Sequence, residues 1–130
     1  MRGRDFLEVV EYLLPLRGEA SIRAQIGRLY YAAYLESRTW CEANLGYERL
    51  QYAREHADVQ RMLAAIDSDL ATKLKFMRTY RNTADYDLRI SLATLELQLV
   101  NARDWVQDIF QRLEALSSPQ VNEPDAPGGE

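Results

Sequence analysis

The sequence predicts an all-α protein, an antiparallel up-and-down bundle of four to five helices. Three observations predict it. Apolar residues recur at spacings of three and four along nearly the whole chain. No stretch shows the strict apolar–polar alternation of a half-buried strand. Short polar or glycine-bearing segments separate the periodic stretches, as antiparallel neighbours require.

The first helix is expected over Asp5–Leu16. Asp5 offers an N-cap with Glu8 three residues on, Phe6, Val9, Val10 and Leu13 form the apolar stripe, and Gly18 marks the stop. The second is expected over Ala20–Ala43, with Ile22, Ile26, Leu29, Ala33 and Trp40 on one face. Tyr30, Tyr31 and Tyr34 widen that face, so burial on more than one side is expected. Asn44-Leu45-Gly46 ends it, and Tyr47–Glu55 carries no clear period. The third helix is expected over His56–Asp67, with Val59, Met62, Leu63 and Ile66 inward. Asp67-Ser68-Asp69 supplies caps for the next, which runs over Leu70–Asp85 on Leu70, Leu74 and Met77. The last helix, Ser91–Leu116, has the longest stripe: Leu92, Leu95, Leu99, Ala102, Val106, Ile109, Leu113 and Leu116. Beyond it three prolines and two glycines sit among polar residues. One helical domain over 1–117 and a disordered tail over 118–130 are therefore expected.

A chain of 130 residues, 47% hydrophobic, is long enough to bury a core without disulfides or metals. Its formal net charge of -4 announces no general affinity for nucleic acid, although a local basic patch is compatible with it. One cysteine, Cys41, and one histidine, His56, make a structural zinc site within one chain unlikely to form. Nothing around Cys41 lowers a thiol pKa, so it is read as structural. The N-terminus begins with a charge, but Glu8, Glu11 and Arg17 interrupt any leader-like apolar segment. No apolar run reaches membrane-spanning length. The expectation is a cytoplasmic protein with no membrane contact, no metal and no cofactor; Walker, GxSxG and HExxH patterns are absent.

The segment Arg81-Asn82-Thr83-Ala84-Asp85-Tyr86 closes the fourth helix. Arg81 and Asp85 lie four apart and can pair, with Arg78 one turn earlier. An exposed pair of this kind is common and worth only ~0.3–0.5 kcal/mol. The sharper reading is a phosphate site, because a guanidinium fork matches phosphate geometry. His56 is the one imidazole available for acid–base work; the plainer reading is a helix cap or a packed ring. Tyr30 and Tyr34 can stack one turn apart in a core or dimer seam, and a base-stacking role would need a basic groove beside them. Arg28 and Arg38 are expected to be solvated or paired with Glu36 and Glu42. Glu96, Asp104 and Asp108 read as a wet helix face.

Three separated pieces, Arg28-Leu29-Tyr30-Tyr31-Ala32-Ala33-Tyr34, His56-Ala57-Asp58-Val59 and Arg81-Asn82-Thr83-Ala84-Asp85-Tyr86, occur in an order that resembles small stand-alone prokaryotic members of the HEPN superfamily. The resemblance spans Asp5 to Leu116. It implies a four- or five-helix bundle that forms a homodimer, acts without metal on RNA, and is often a toxin encoded beside a minimal nucleotidyltransferase antitoxin. In the catalytic members an Arg, a polar residue and a His four to six residues further on form the site. The His transfers protons at the ribose 2′-hydroxyl and the Arg stabilises phosphate charge.

This chain departs from that pattern. Asn82 matches the polar position, but the window for the His holds Tyr86, Asp87 and Leu88. A phenol is a poor base at neutral pH. Arg49 and His56 match the spacing but lie before the third helix, which marks a chance match. Three readings follow. In the first, a dimer binds RNA, a nucleotide or a nucleotidyltransferase within a toxin–antitoxin or defence-type module; Arg78, Arg81 and Asn82 hold phosphate, Asp85 orients Arg81 and Tyr86 lines the cleft. The second is a metal-independent ribonuclease toxin using Arg81, Asp85, Tyr86 and His56 from another helix. The third is a structural helical adaptor in which Arg81 and Asp85 lock helix ends together. The first is placed ahead because the polar motif persists while the catalytic imidazole does not.

Overall fold

The computed structural model describes residues 1–49 and 54–117; the expected tail at 118–130 lies outside them. A 3-10 turn, Gly3–Phe6, leads into α1 (Leu7–Leu13), α2 (Glu19–Leu45), α3 (Glu55–Ala64), α4 (Ser68–Tyr86) and α5 (Leu92–Ser117). The described residues contain helices and no strand, so the protein is an all-α bundle. No helix among them is long and apolar enough to cross a membrane.

The long helices alternate in direction. Arg23 near the start of α2 meets Ala84 at the end of α4, Lys73 of α4 meets Asp108 of α5, and Trp40 of α2 meets Ser117 of α5. The short α3 breaks the alternation. It begins beside the middle of α2, with Glu55 at Tyr34 and Arg38 and His56 at Tyr30.

Local chemistry accounts for most boundaries. Asp67 caps α4 by accepting from the Leu70 N–H at 3.1 Å, as its position predicts. Ser91 does the same for α5 through the Thr94 N–H at 3.2 Å. Gly46, at φ +69°, ends α2 in the left-handed region, where a side chain is penalised. The start of the chain differs from expectation. Asp5 does not precede a helix but sits inside the 3-10 turn and accepts from the Arg2 N–H at 2.7 Å. The reason is Gly3. A Cβ there would lie 2.7 Å from the Glu36 backbone nitrogen and 3.0 Å from the Ala32 carbonyl oxygen, so the turn packs directly on α2. Gly18 does not mark the end of the first helix, as expected; α1 stops at Leu13, just before Pro15, and Gly18 is the N-cap residue of α2.

The main core joins Leu29, Ala33, Tyr30 and Tyr34 of α2 to Val59 and Leu63 of α3, Leu70, Leu74 and Met77 of α4, and Val106, Ile109 and Leu113 of α5. Each such large side chain contributes about 1.5–3 kcal/mol on burial. A thinner second cluster, Ile22, Ile26, Ala84 and Leu95, holds the end of α4. Three stripe residues face solvent instead: Val9, Leu92 and Ile66, which falls beyond the end of α3. Cys41 is buried, and burial pushes its thiol up to about 11, in keeping with a structural residue.

Candidate functional site

The middle of α2, the start of α3 and the last two turns of α4 form one continuous cluster. Tyr30 and Tyr34 stack one turn apart, with ring centres 5.9 Å apart. His56 lies flat on Tyr34 at 4.0 Å, and its Nδ1 is 2.5 Å from the Tyr30 hydroxyl. From the other side Arg81 sets its guanidinium 5.6 Å from the Tyr30 ring and 5.3 Å from the Tyr31 ring. Arg28 lies 5.0 Å from Tyr31 and 5.5 Å from Phe6, so Tyr31 carries two guanidiniums. Each such contact is worth about 0.5–1 kcal/mol at a partly exposed position. Arg81 and Asp85 pack against Gly27: a Cβ there would stand at ordinary contact distance, 3.7 Å from Arg81 Cγ and 3.9 Å from an Asp85 oxygen.

Charges are unevenly matched here. Arg81 pairs with Asp85 at 3.6 Å, a carboxylate 40% exposed against 14% for the arginine side chain. Arg78 makes no ion pair or hydrogen bond among the described residues, and the Nε atoms of both Arg78 and Arg81 are buried without a partner. Burial, and then the fields of Arg78 and Arg81, push the His56 imidazole down to about 4, so the ring is neutral near pH 7. Burial raises the Tyr30 hydroxyl above its ordinary range despite the same two arginines. Burial and the nearby Glu55 carboxylate raise Tyr34 to about 12.

A neutral phenol and a neutral imidazole share one hydrogen bond, and its direction follows from satisfaction. If Nδ1 carried the proton, the buried Tyr30 O–H would have no acceptor among the described residues, a cost of about 1–3 kcal/mol. Tyr30 therefore donates to Nδ1, and His56 keeps its proton on Nε2. In that tautomer both ring nitrogens are committed: one accepts from Tyr30 and the other is a donor. The ring can offer a hydrogen bond to an anion but has no free lone pair with which to take a proton.

The sequence-derived residues divide into two groups. Arg78, Arg81 and His56 come together on the tyrosine face, His56 arriving from α3. Asp85 lies beside Arg81. Asn82 and Tyr86 point elsewhere: both are exposed and line a shallow groove with Thr83, Leu88 and Arg89. Arg49 pairs with Glu42 at 2.5 Å. Arg28 is half-buried and stacked on rings, with no carboxylate partner among the described residues, and Arg38 reaches Glu55, not Glu36 or Glu42. Glu36 instead binds Arg4 at 3.0 Å, because the Gly3 contact brings the N-terminal turn onto α2. Asp108, its side chain 33% exposed, joins an ion cluster with Lys73 and Arg112.

One residue escaped sequence reasoning. Arg23 is buried at the end of α4, its Nη1 donating to the Ala84 carbonyl at 2.8 Å and the Thr83 carbonyl at 3.4 Å. An arginine on an otherwise apolar helix face is the signal that could have found it. Among the described residues no group of His, Cys, Asp and Glu could hold a metal ion. The groove of Asn82 and Tyr86, of about 560 Å³, and those of about 500 Å³ beside Trp40 and about 410 Å³ beside Leu16 all leave Arg78, Arg81 and His56 out. The chain matches no protein-family model, no curated protein and no solved structure.

Proposed function

We propose that the chain is a HEPN-like protein that binds the phosphate backbone of RNA along the edge formed by Arg78 and Arg81. The observation that supports this most is the charge imbalance on the tyrosine face. Arg38 is matched there by Glu55 at 3.3 Å, and three further guanidiniums, Arg28, Arg78 and Arg81, have among the described residues only the half-exposed carboxylate of Asp85 to set against them. A cation held on aromatic rings beside another without a partner suits an arriving anion better than an internal ion pair. The open setting favours an extended strand over a free nucleotide, which needs a concave pocket to bury most of its surface. In this reading Asp85 orients Arg81, while Asn82 and Tyr86, which line a separate groove, take no part in holding phosphate. The same resemblance carries a homodimer and a nucleotidyltransferase partner within a toxin–antitoxin or defence-type module.

Metal-independent cleavage is the second reading, and the approach of His56 to Arg78 and Arg81 speaks for it. Its tautomer speaks against it. A 2′-hydroxyl must lose a proton to a base, and His56 presents a donor. Both readings meet in one experiment: a mixed tRNA pool incubated with wild type or Arg81→Ala in EDTA, with binding measured in parallel. Binding without cleavage, about tenfold weaker in the variant and with a salt slope lower by about one, is the expected result. Cleavage lost in Arg81→Ala would make the protein a ribonuclease. RNA binding equal in both proteins, with only a lowered Tm, would leave Arg81 as a helix lock and favour the structural adaptor.

A further inference from the structure

We infer that Arg23 is a positioning residue for Arg81: it anchors the end of α4 so that the Arg81 guanidinium stays on the Tyr30 and Tyr31 rings. The inference rests on the phosphate-binding reading for its function, but the anchoring itself has an independent readout.

A helix leaves its last carbonyls without partners inside the helix. In α4 one of these belongs to Ala84, while the neighbouring Thr83 carbonyl accepts from the Asp87 N–H at 2.9 Å; both lie in the same turn as Arg81 and Asp85. Both receive hydrogen bonds from the buried Arg23 guanidinium of α2. Its charge also suits the negative end of the helix dipole. Glu19, one turn earlier, holds Arg23 Nε at 2.9 Å and turns the fork toward α4. One turn later on α2 comes Gly27, the residue against which Arg81 and Asp85 pack, and then Tyr30 and Tyr31. Arg23, Gly27 and Tyr30/Tyr31 thus contact successive points along the last turns of α4.

Apolar packing alone holds this end weakly. The cluster there has four buried members, Ile22, Ile26, Ala84 and Leu95, whereas the main core grips the start of α4 through Leu70, Ala71, Leu74 and Met77. Burying a guanidinium is costly unless its hydrogen bonds are made, and Arg23 Nη2 has no partner. A buried cation with one donor left over is an expensive way to cap a helix whose carbonyls water could satisfy. What it secures is the lateral position of α4 on α2, and with it the seat of Arg81.

The test uses the full chain, a fluorescent single-stranded oligoribonucleotide and the imidazole resonances of His56, the one histidine in the sequence. In Arg23→Met, RNA affinity is expected to fall about fivefold and the salt slope by about one, as if the Arg81 contact were lost. The His56 titration midpoint should rise, because Arg81 is one of the charges that hold it down. Arg23→Lys, which keeps the charge but not the fork, should recover part of both. Glu19→Gln, at a half-exposed position, should move both readouts the same way by less, and it carries the test if Arg23→Met does not fold. An Arg23→Met protein with wild-type affinity, slope and His56 resonances, even with a lowered Tm, would overturn the inference. If wild type fails to bind RNA, the phosphate reading fails and the His56 resonances alone decide whether Arg23 seats Arg81.

Discussion

Helix α4 carries a charge cluster at each end, and the two are built on opposite principles. At its start Lys73 and Arg112 meet three carboxylates. Lys73 binds Asp108 at 2.6 Å and Asp69 at 3.1 Å; Arg112 binds Asp108 at 2.7 Å, Asp69 at 2.7 Å and Asp67 at 3.2 Å. At its end Arg81 has one carboxylate, Asp85, at 3.6 Å, and Arg78 has none among the described residues. The first cluster is closed, since every cation has its counter-ions and its geometry ties α4 to α5. The second is open, and the Arg81 guanidinium lies on two tyrosine rings that hold a cation without neutralising it. Charge count alone does not distinguish a structural network from a binding site. The ratio of cations to anions, and the surface the cations rest on, do.

The contrast is broken most directly by removing one arginine from each end. Arg81→Ala should weaken RNA binding about tenfold and lower the salt slope by about one. Arg112→Ala, which removes more ion pairs, should leave binding and slope as they are. Equal loss of binding in both variants would mean that RNA responds to overall charge and that the open end is not a site.

The next effect is smaller and sits inside the open end. Tyr30→Phe removes the hydroxyl that fixes the His56 tautomer. Loss of one buried hydrogen bond should cost about 1 kcal/mol of stability, read from urea unfolding. The nitrogen resonances of His56 should shift from the Nε2–H form toward a mixture of tautomers. Nδ1–H resonances in the wild type would reverse the assigned direction of the bond and restore a possible base at Nε2.

How much of this was legible in the sequence follows from the range of the interactions. The helix period, the Asp67 cap and the Gly46 stop act within a few residues and were readable. The pairing of Arg81 with Asp85 is equally local. The arrival of His56 beside Tyr30 was not, because it depends on α3 starting against the middle of α2, and no local rule fixes where a connection returns. Arg23 was missed for the same reason: its partners are two carbonyls about sixty residues away, and carbonyls leave no mark on a sequence. The 3-10 turn before α1 packs on α2 through one close contact at Gly3, visible only when both helices are in place, whereas the early end of α1 ahead of Pro15 was open to a local reading.

At the closed end, Arg112→Ala should lower Tm modestly, and the loss should shrink as salt screens the remaining charges. An unchanged Tm at low salt would mean that the network adds no stability and that apolar packing alone joins α4 to α5.

The smallest effect separates the two ends by pH. His56 is depressed in the folded protein from an ordinary 6.5 to about 4, facing Tyr30, Tyr34, Glu55, Arg38, Arg78 and Arg81. Between those values the unfolded chain binds a proton that the folded chain refuses. Its contribution to stability is therefore fully present above pH 6.5 and is lost as pH falls toward 4. Asp108, held below its ordinary 3.8 chiefly by its hydrogen bond from Lys73, contributes stability that is kept above that value and lost as pH falls below it. Acid should therefore weaken the open end first and the closed end second. Urea unfolding at pH 7.5, 5 and 3 tests the order, with His56→Gln removing its share of the first loss and leaving the second. A His56 titration midpoint near 6.5 by NMR would show that the ring is not held neutral by its surroundings, and the distinction between the two ends would then rest on their ion pairs alone.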